Sequence, residues 1–146
     1  MKKLLTLCLF LSALATGFSA QASEEDKPFA DERIVLQISD SDPFKQTLVL
    51  NVATNLIKYY GQDKVDIEIV AFGPGLRLLF KDNVNTGRIQ GLAGSGVKFA
   101  ACKNTIGAVT KKLGHAPELN PNAVPVSAGV VRIIELENQG FKLIKP

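Results

Sequence analysis

The feature that most constrains the fold is a regular alternation of short β-branched segments with longer segments of helical periodicity. The predicted strands lie at 34–38, 65–72, 97–101, 124–126 and 141–144. Segments with helical apolar spacing lie between them, at 43–60, 76–80, 86–92, 103–113 and 128–139. This alternation is typical of βαβ units, in which the strands run parallel. The sequence therefore predicts an α/β fold, a three-layer α/β/α sandwich with a mostly parallel five-stranded sheet.

Residues 1–22 have the composition of a targeting segment. Two lysines precede an uncharged apolar run at 4–14, and small residues flank Gln21 in the pattern that a signal peptidase recognises. The run is short for a helix that spans a bilayer. We predict a signal peptide at 1–22, cleaved after Ala22 or Ala20, and hence a periplasmic protein; an uncleaved anchor is the alternative.

Charge and cysteine content narrow the possible functions. Residues 1–22 hold two of the 17 basic side chains and none of the 14 acidic ones, so the mature chain would carry a net charge of +1. Such a charge gives no electrostatic basis for binding nucleic acid or an anionic membrane. Cys8 would leave with the signal peptide, so Cys102 would remain without an intramolecular disulfide partner. Residues 23–32 are predicted as a polar leader and 33–146 as one domain.

The candidate binding residues follow the predicted strands. Loops at the carboxyl ends of parallel strands meet at one edge of a sheet, and ligands bind there in open α/β folds. The candidate catalytic residue at this edge is Cys102. The candidate ligand-binding residues are Asp40, Gly73, Gly75, Lys103, Asn104 and Ser127. Gly73 and Gly75 could present backbone N–H groups to an anion, with Arg77 as its countercharge, or could serve only the turn. Ser127 is also predicted to cap the helix at 128–139.

The sequence contains no motif for metal binding, nucleotide binding or the common types of hydrolysis. His115 is the single histidine and has no cluster of Cys, Asp or Glu at ligand spacing, so we predict neither a metal nor a cofactor. The sequence also contains no nucleophile elbow, zinc-binding helix or nucleotide fingerprint. A hydrolase or oxidoreductase of an ordinary type is therefore not expected.

Cys102 has two interpretations. It lies where a predicted strand passes into a predicted helix, and the positive end of a helix favours a thiolate, the nucleophilic form of cysteine. Lys103 would add a countercharge, with the N–H groups around Lys103 and Asn104 stabilising the anion. The alternative is a buried, inert cysteine that packs as a small apolar side chain.

Several runs together resemble the DsrE/DsrF-like family, small α/β domains associated with sulfur transfer and sulfur oxidation. The runs are VAFGPGLRLL at 70–79, GVKFAACKNT at 96–105, VPVSAGVV at 124–131 and GFKLIKP at 140–146. The resemblance implies that Cys102 carries a persulfide and that the protein is a homo-oligomer. It also implies a sulfur donor or acceptor as partner.

Two functions follow as expectations. The first is a periplasmic sulfur-binding or sulfur-carrier protein that uses Cys102, with thiosulfate, sulfide, polysulfide or a partner protein as the source of sulfur; whether it is an enzyme stays open. The second is a non-catalytic oligomeric module that binds a small anion or a partner and keeps Cys102 as a structural residue. For assembly we expect a trimer or hexamer. Its interface would lie at 76–92, around Leu79 and Phe80, where apolar residues exceed what two short helices need.

Overall fold

The computed structural model describes residues 27–146, so the predicted signal peptide and the start of the predicted leader lie outside the described residues. The predicted segments correspond in order to the observed elements. These are β1 (Glu32–Ile38), α1 (Pro43–Tyr60), β2 (Val65–Ala71), a 3-10 helix (Gly73–Leu79), α2 (Thr86–Gly94), β3 (Lys98–Cys102), α3 (Lys103–Leu113), β4 (Ala123–Val126), α4 (Gly129–Asn138) and β5 (Lys142–Ile144).

The strands of the described chain form one five-stranded sheet in the order β4-β3-β2-β1-β5. Every pairing in it is parallel, for example Glu32 with Val65 and Phe99 with Ala123. The predicted three-layer α/β/α sandwich is confirmed, and its sheet is parallel throughout rather than mostly. The carboxyl ends of all five strands therefore share one edge, here called the carboxyl rim.

The two faces of the sheet are covered unequally. On one face, here called the α1 face, the buried side chains of β1, β2 and β3 pack under α1, the 3-10 helix and α2, with Ile106 of α3 against them. The opposite face, here called the α4 face, has a smaller core under α4. That core consists of Val35, Val70, Ala100, Ile133, Leu136 and Phe141. The helix that packs on this face, α4, has only ten residues.

Several apolar residues of the predicted helices are exposed. Ile133 and Leu136 of α4 are buried, but Val130, Val131 and Ile134 are about half exposed. Leu113, at the end of α3, is 51% exposed. The helical spacing was correct, but it could not show how much of each helix the rest of the domain covers.

The segment at 76–92 is part of the core. Leu78, Leu79 and Ile89 are completely buried in the described chain. The surplus of apolar surface expected there is therefore wrong, because the 3-10 helix and α2 pack these side chains onto the α1 face. Val84, at 93% exposure, is the large apolar residue of the segment that lies in solvent.

Beneath α4 the sheet also buries charge. Glu68 of β2 is 2% exposed and accepts two hydrogen bonds from the guanidinium of Arg132, each 2.7 Å long. Asp66, two residues earlier, is equally buried and lies 3.8 Å from the ammonium of Lys98. These pairs join β2 to α4 and to β3 through charge rather than through apolar packing.

Lys27 holds the chain to the amino end of the sheet. Its ammonium donates hydrogen bonds to the backbone carbonyls of Gln62, Val65 and Ser95, at 2.6, 3.1 and 3.3 Å. Burial lowers the pKa of Lys27, although Asp66 and Asp63 oppose this effect. This part of the predicted leader is therefore docked on the domain.

Within residues 27–146, every helix is too short or too polar to span a lipid bilayer.

Candidate functional site

Cys102 is the last residue of β3, at the carboxyl rim. It lies opposite Val126, the last residue of β4. Because side chains alternate along a strand, Cys102 points to the same side of the sheet as Ala100, which belongs to the core of the α4 face. The strand therefore directs the thiol toward α4. The residue is 5% exposed.

The first turn of α3 begins directly after the cysteine. Cys102 is the cap residue of that helix, with the extended backbone angles (φ −66°, ψ 115°) usual for this position. The N–H groups of such a first turn have no partner within the helix. Within residues 27–146, the Cys102 side chain does not form the usual capping hydrogen bond with these N–H groups. The N–H groups therefore act on the sulfur as neighbouring donors.

A second helix start reaches the same sulfur. Gly129, the first residue of α4, is buried, and a Cβ atom built on it would lie 2.9 Å from both Cβ and Cδ1 of Phe72. Such contacts are closer than real Cβ atoms make, so only glycine lets α4 begin this close to Phe72. That approach lets the N–H of Gly129 act on the Cys102 thiolate and lower the pKa of the thiol.

Two opposing effects set the pKa of Cys102. Burial, the larger single effect, raises the pKa. Hydrogen bonds to the thiolate lower it; the donors are the hydroxyl of Thr105 and the backbone N–H groups of Gly129, Thr105 and Asn104. Together these donors prevail, so the pKa lies below its ordinary value. A thiol with a lowered pKa has a larger thiolate fraction at neutral pH.

A hydrogen bond from the first residue of the 3-10 helix orients Thr105. The N–H of Gly73 donates to Thr105 Oγ1 over 2.9 Å. Since that oxygen already accepts one hydrogen bond, its own proton is available for Cys102. Gly73 has a positive φ of +53°, which favours glycine and permits the turn that aims its N–H at α3.

The anion-binding role predicted for Gly73 and Gly75 is wrong, because both N–H groups have partners inside the protein. Gly73 donates to Thr105, and Gly75 donates to the carbonyl of Phe72. The alternative, that the glycines serve the turn, is confirmed. A Cβ atom on Gly75 would clash with the backbone carbonyl of Ile38.

The remaining predicted site residues lie at the rim but differ in role. The N–H of Asn104 is one of the groups that lower the pKa of the Cys102 thiol. Lys103 is exposed on the first turn of α3, and the groups that lower the pKa of the thiol are hydrogen-bond donors rather than its ammonium. Asp40 forms a 2.7 Å ion pair with Lys45, whose hydrogen bond lowers the pKa of the Asp40 carboxyl.

The cap predicted at Ser127 is wrong. The cap position of α4 is Ala128, and no side chain of the described chain caps this helix. Ser127 itself is exposed. The first N–H of α4 is therefore left without a capping oxygen, and it is this N–H, on Gly129, that acts on Cys102.

Thr105 and Gly129 are site residues that the sequence analysis missed. Thr105 stands three residues after Cys102, at the third position of a helix, where a side-chain hydroxyl can turn back toward the cap. That spacing could have identified Thr105 as a donor to Cys102. Gly129 carried none, because its role depends on Phe72, which is distant in the sequence.

The described residues hold no group of three or more His, Cys, Asp or Glu side chains that could bind a metal ion. Cys102 is a free cysteine. The chemistry that the arrangement can support is therefore that of one thiolate with four polar donors and limited access to solvent.

One solved structure similar to this chain is that of MTH1491, a protein of unknown function from Methanobacterium thermoautotrophicum. The two sequences are 32% identical, and the TM-score is 0.72. The match covers 80% of this chain and 100% of MTH1491. No family model and no curated protein matches the chain.

Proposed function

We propose that this chain, which belongs to the same family as MTH1491, binds and carries sulfur on Cys102. The observation that carries the proposal is the convergence of two helix starts, those of α3 and α4, on one buried sulfur atom. Backbone N–H groups at helix starts stabilise anions. The resemblance to DsrE/DsrF-like proteins supports the same function.

The proposed step is nucleophilic attack on a sulfur–sulfur bond. The Cys102 thiolate attacks the terminal sulfur of a polysulfide, a new S–S bond forms to Sγ, and the donor's S–S bond breaks. The shortened polysulfide leaves with the electron pair, so no outside oxidant is needed. Thiosulfate would react in the same way and release sulfite. The product is a persulfide on Cys102, whose anion can be stabilised by the same donors as the thiolate.

Burial of Cys102 favours retention of a bound sulfur atom. Cys102, at 5% exposure, has little access to solvent at the carboxyl rim. Restricted access would slow attack by large thiols on the persulfide and still admit a small sulfur anion. The same burial fits the alternative function, an anion-binding or partner-binding module with a structural cysteine, so access has to be measured.

Mass spectrometry tests the proposal directly. The purified mature protein is incubated with polysulfide or thiosulfate, desalted and weighed intact. We expect one or more added sulfur atoms that a reductant removes. Cys102→Ser should gain none, and equal uptake by this variant would refute the proposal.

A second measurement decides between the two functions. If Cys102 reacts with iodoacetamide only after denaturation, the structural-cysteine alternative is supported and sulfur carriage is rejected. Rapid reaction of the folded protein supports carriage. The labelling must be done with the sulfur-free protein, because a persulfide would itself be alkylated.

We also propose export and self-assembly. Residues 1–22 support a periplasmic location, and the test is N-terminal mass analysis of the periplasmic fraction, where the chain should begin after Ala22 or Ala20.

For the proposed homo-oligomer, a trimer or hexamer, the exposed apolar residues of α4 support an interface on the α4 face. A second copy packed there would cover Val130, Val131 and Ile134, and it would lie beside the helix start that serves Cys102.

A further inference from the structure

A groove separates the 3-10 helix from α3. Its volume is about 480 Å³, which is within the range of small-molecule sites. All eleven residues of α3 keep some exposure to solvent. The helix therefore leaves the groove between itself and the 3-10 helix open. Cys102 does not line the groove, although Gly73 and Thr105, which act on its thiol, do. A ligand of the groove would therefore lie next to the cysteine site without contacting the sulfur.

The floor of the groove is apolar. Leu76 and Phe80 line it from the 3-10 helix and its end, and Val109 and Leu113 line it from α3. The half-exposed Leu113 is an apolar side chain that the fold leaves uncovered. A ligand with an apolar body would bury this surface.

Each wall of the groove also carries a cation. Arg77 projects from the 3-10 helix and Lys112 from α3, and both are exposed. No Asp or Glu of the described chain lines the groove, and within residues 27–146 neither cation forms an ion pair with a carboxylate. Two cations on opposite walls above an apolar floor are complementary to a molecule with an apolar body and an anionic head.

We propose that this groove binds a small amphipathic organic anion, a carboxylate or sulfonate with an apolar body. The anionic head would lie between Arg77 and Lys112, and the body would cover Phe80 and Val109. Inorganic anions lack the body, and neutral apolar molecules leave both cations unpaired, so each should bind more weakly. The proposal does not depend on the function of Cys102.

The test uses two fluorescent probes that share one apolar body. Anilinonaphthalene sulfonate carries an anionic head, whereas N-phenylnaphthylamine has none. We expect the folded protein to bind the sulfonate more tightly, and decanoate to displace it. The double variant Arg77→Gln/Lys112→Gln should bind the sulfonate about tenfold more weakly, the loss expected when a charge-assisted interaction is removed, with little change for the neutral probe.

Two further variants locate the site. Lys111→Gln removes the neighbouring exposed cation of α3, which does not line the groove, and should bind the sulfonate as the wild type does. Ala108→Trp fills the groove from α3 and should abolish binding of both probes. If the double variant binds the sulfonate as tightly as the wild type, or if Ala108→Trp leaves binding intact, the proposal is wrong, since the probe then binds elsewhere, for instance on the α4 face.

Discussion

The N–H of Gly73 donates a 2.9 Å hydrogen bond to Thr105 Oγ1, and this bond links the start of the 3-10 helix to the side chain that donates to Cys102. Gly73 does not itself contact the sulfur in our proposal. It fixes the hydroxyl of Thr105 as an acceptor on one side, so that the hydroxyl is a donor on the other. The ionisation of the thiol therefore depends on residues from three separate segments of the chain.

Replacement of Thr105 tests this dependence. Thr105→Val removes the hydroxyl donor, so the pKa of Cys102 should rise, because one stabilising group of the thiolate is lost. The rate of iodoacetamide alkylation, followed against pH by mass spectrometry, should show its inflection at higher pH than in the wild type. Thr105→Ser keeps the hydroxyl and should restore the profile; an unchanged inflection in Thr105→Val would exclude the proposed donor.

Thr105→Val should also destabilise the fold. The N–H of the partly buried Gly73 would lose its acceptor, and this should cost no more than the roughly 1–3 kcal/mol of a fully buried, unsatisfied donor. Urea denaturation would measure this loss, which Thr105→Ser should avoid.

The lowered pKa of Cys102 predicts a pH dependence of stability. The folded pKa lies below the unfolded one, so between the two values the unfolded state binds more protons. The free energy of unfolding should therefore increase as the pH rises through the folded pKa, and the full gain is present above the unfolded pKa. Cys102→Ser should lack this increase when both proteins are unfolded in urea across the alkaline range.

Gly129→Ala should move the start of α4. The added Cβ would meet Phe72 at 2.9 Å, and overpacking of this kind costs about 1–3 kcal/mol. The displaced N–H should also leave Cys102 with a higher pKa. Gly107→Ala in α3 is the matched control, because a Cβ there meets open space and alanine favours a helix by about 0.5–1 kcal/mol over glycine. Equal destabilisation by both variants would argue against the packing explanation.

The ion pair beneath α4, in which Glu68 is buried and Arg132 is partly exposed, should be costly to break from the Arg132 side. Arg132→Met leaves the carboxylate of Glu68 at 2% exposure without its bidentate partner, and loss of one member of a buried pair costs about 3–5 kcal/mol. The double variant Glu68→Met/Arg132→Met should recover most of this. Lys142→Met, which breaks the exposed pair with Glu32, should cost no more than about 1 kcal/mol. Denaturation curves of the three variants provide the comparison.

Assembly through the α4 face predicts that a charge on α4 disrupts the oligomer. Ile134 is 52% exposed, so Ile134→Glu should leave the monomer folded but remove the apolar contact. Light scattering at micromolar concentration should then find a smaller particle than for the wild type. Val84→Glu places the same charge on the exposed residue of the 76–92 segment and should not change the mass. A monomeric wild type would end the proposal.

Much of the fold was predictable because the evidence for it is local. Asp42 and Pro43 are residue types typical of a helix start, and they indicate where α1 begins. In the structure the Asp42 carboxylate accepts a hydrogen bond from the N–H of Phe44. The alternation of strands with helices indicated a parallel sheet. The position of Cys102 at the carboxyl rim followed from that topology alone.

What could not be predicted depends on contacts between distant segments. Nothing near Gly129 in the sequence indicates that Phe72 lies against it, or that its N–H reaches Cys102. Likewise, the sequence predicts Leu79 as part of a surplus apolar surface, whereas the tertiary structure buries it. Periodicity shows which side of a helix is apolar, but it cannot show whether the domain or a second subunit covers that side.

The docking of Lys27 determines how the protein can be attached to a support. The chain enters the domain at the amino ends of β2 and β3, whereas Cys102 lies at the far end of the five-residue strand β3, about 13 Å away at 3.3 Å per residue. A tether joined ahead of Lys27 would therefore hold the domain with its thiol facing outward. A tether after β5 would emerge at the carboxyl rim, three strand positions from β3 or about 14 Å, where it could obstruct a partner that approaches the sulfur.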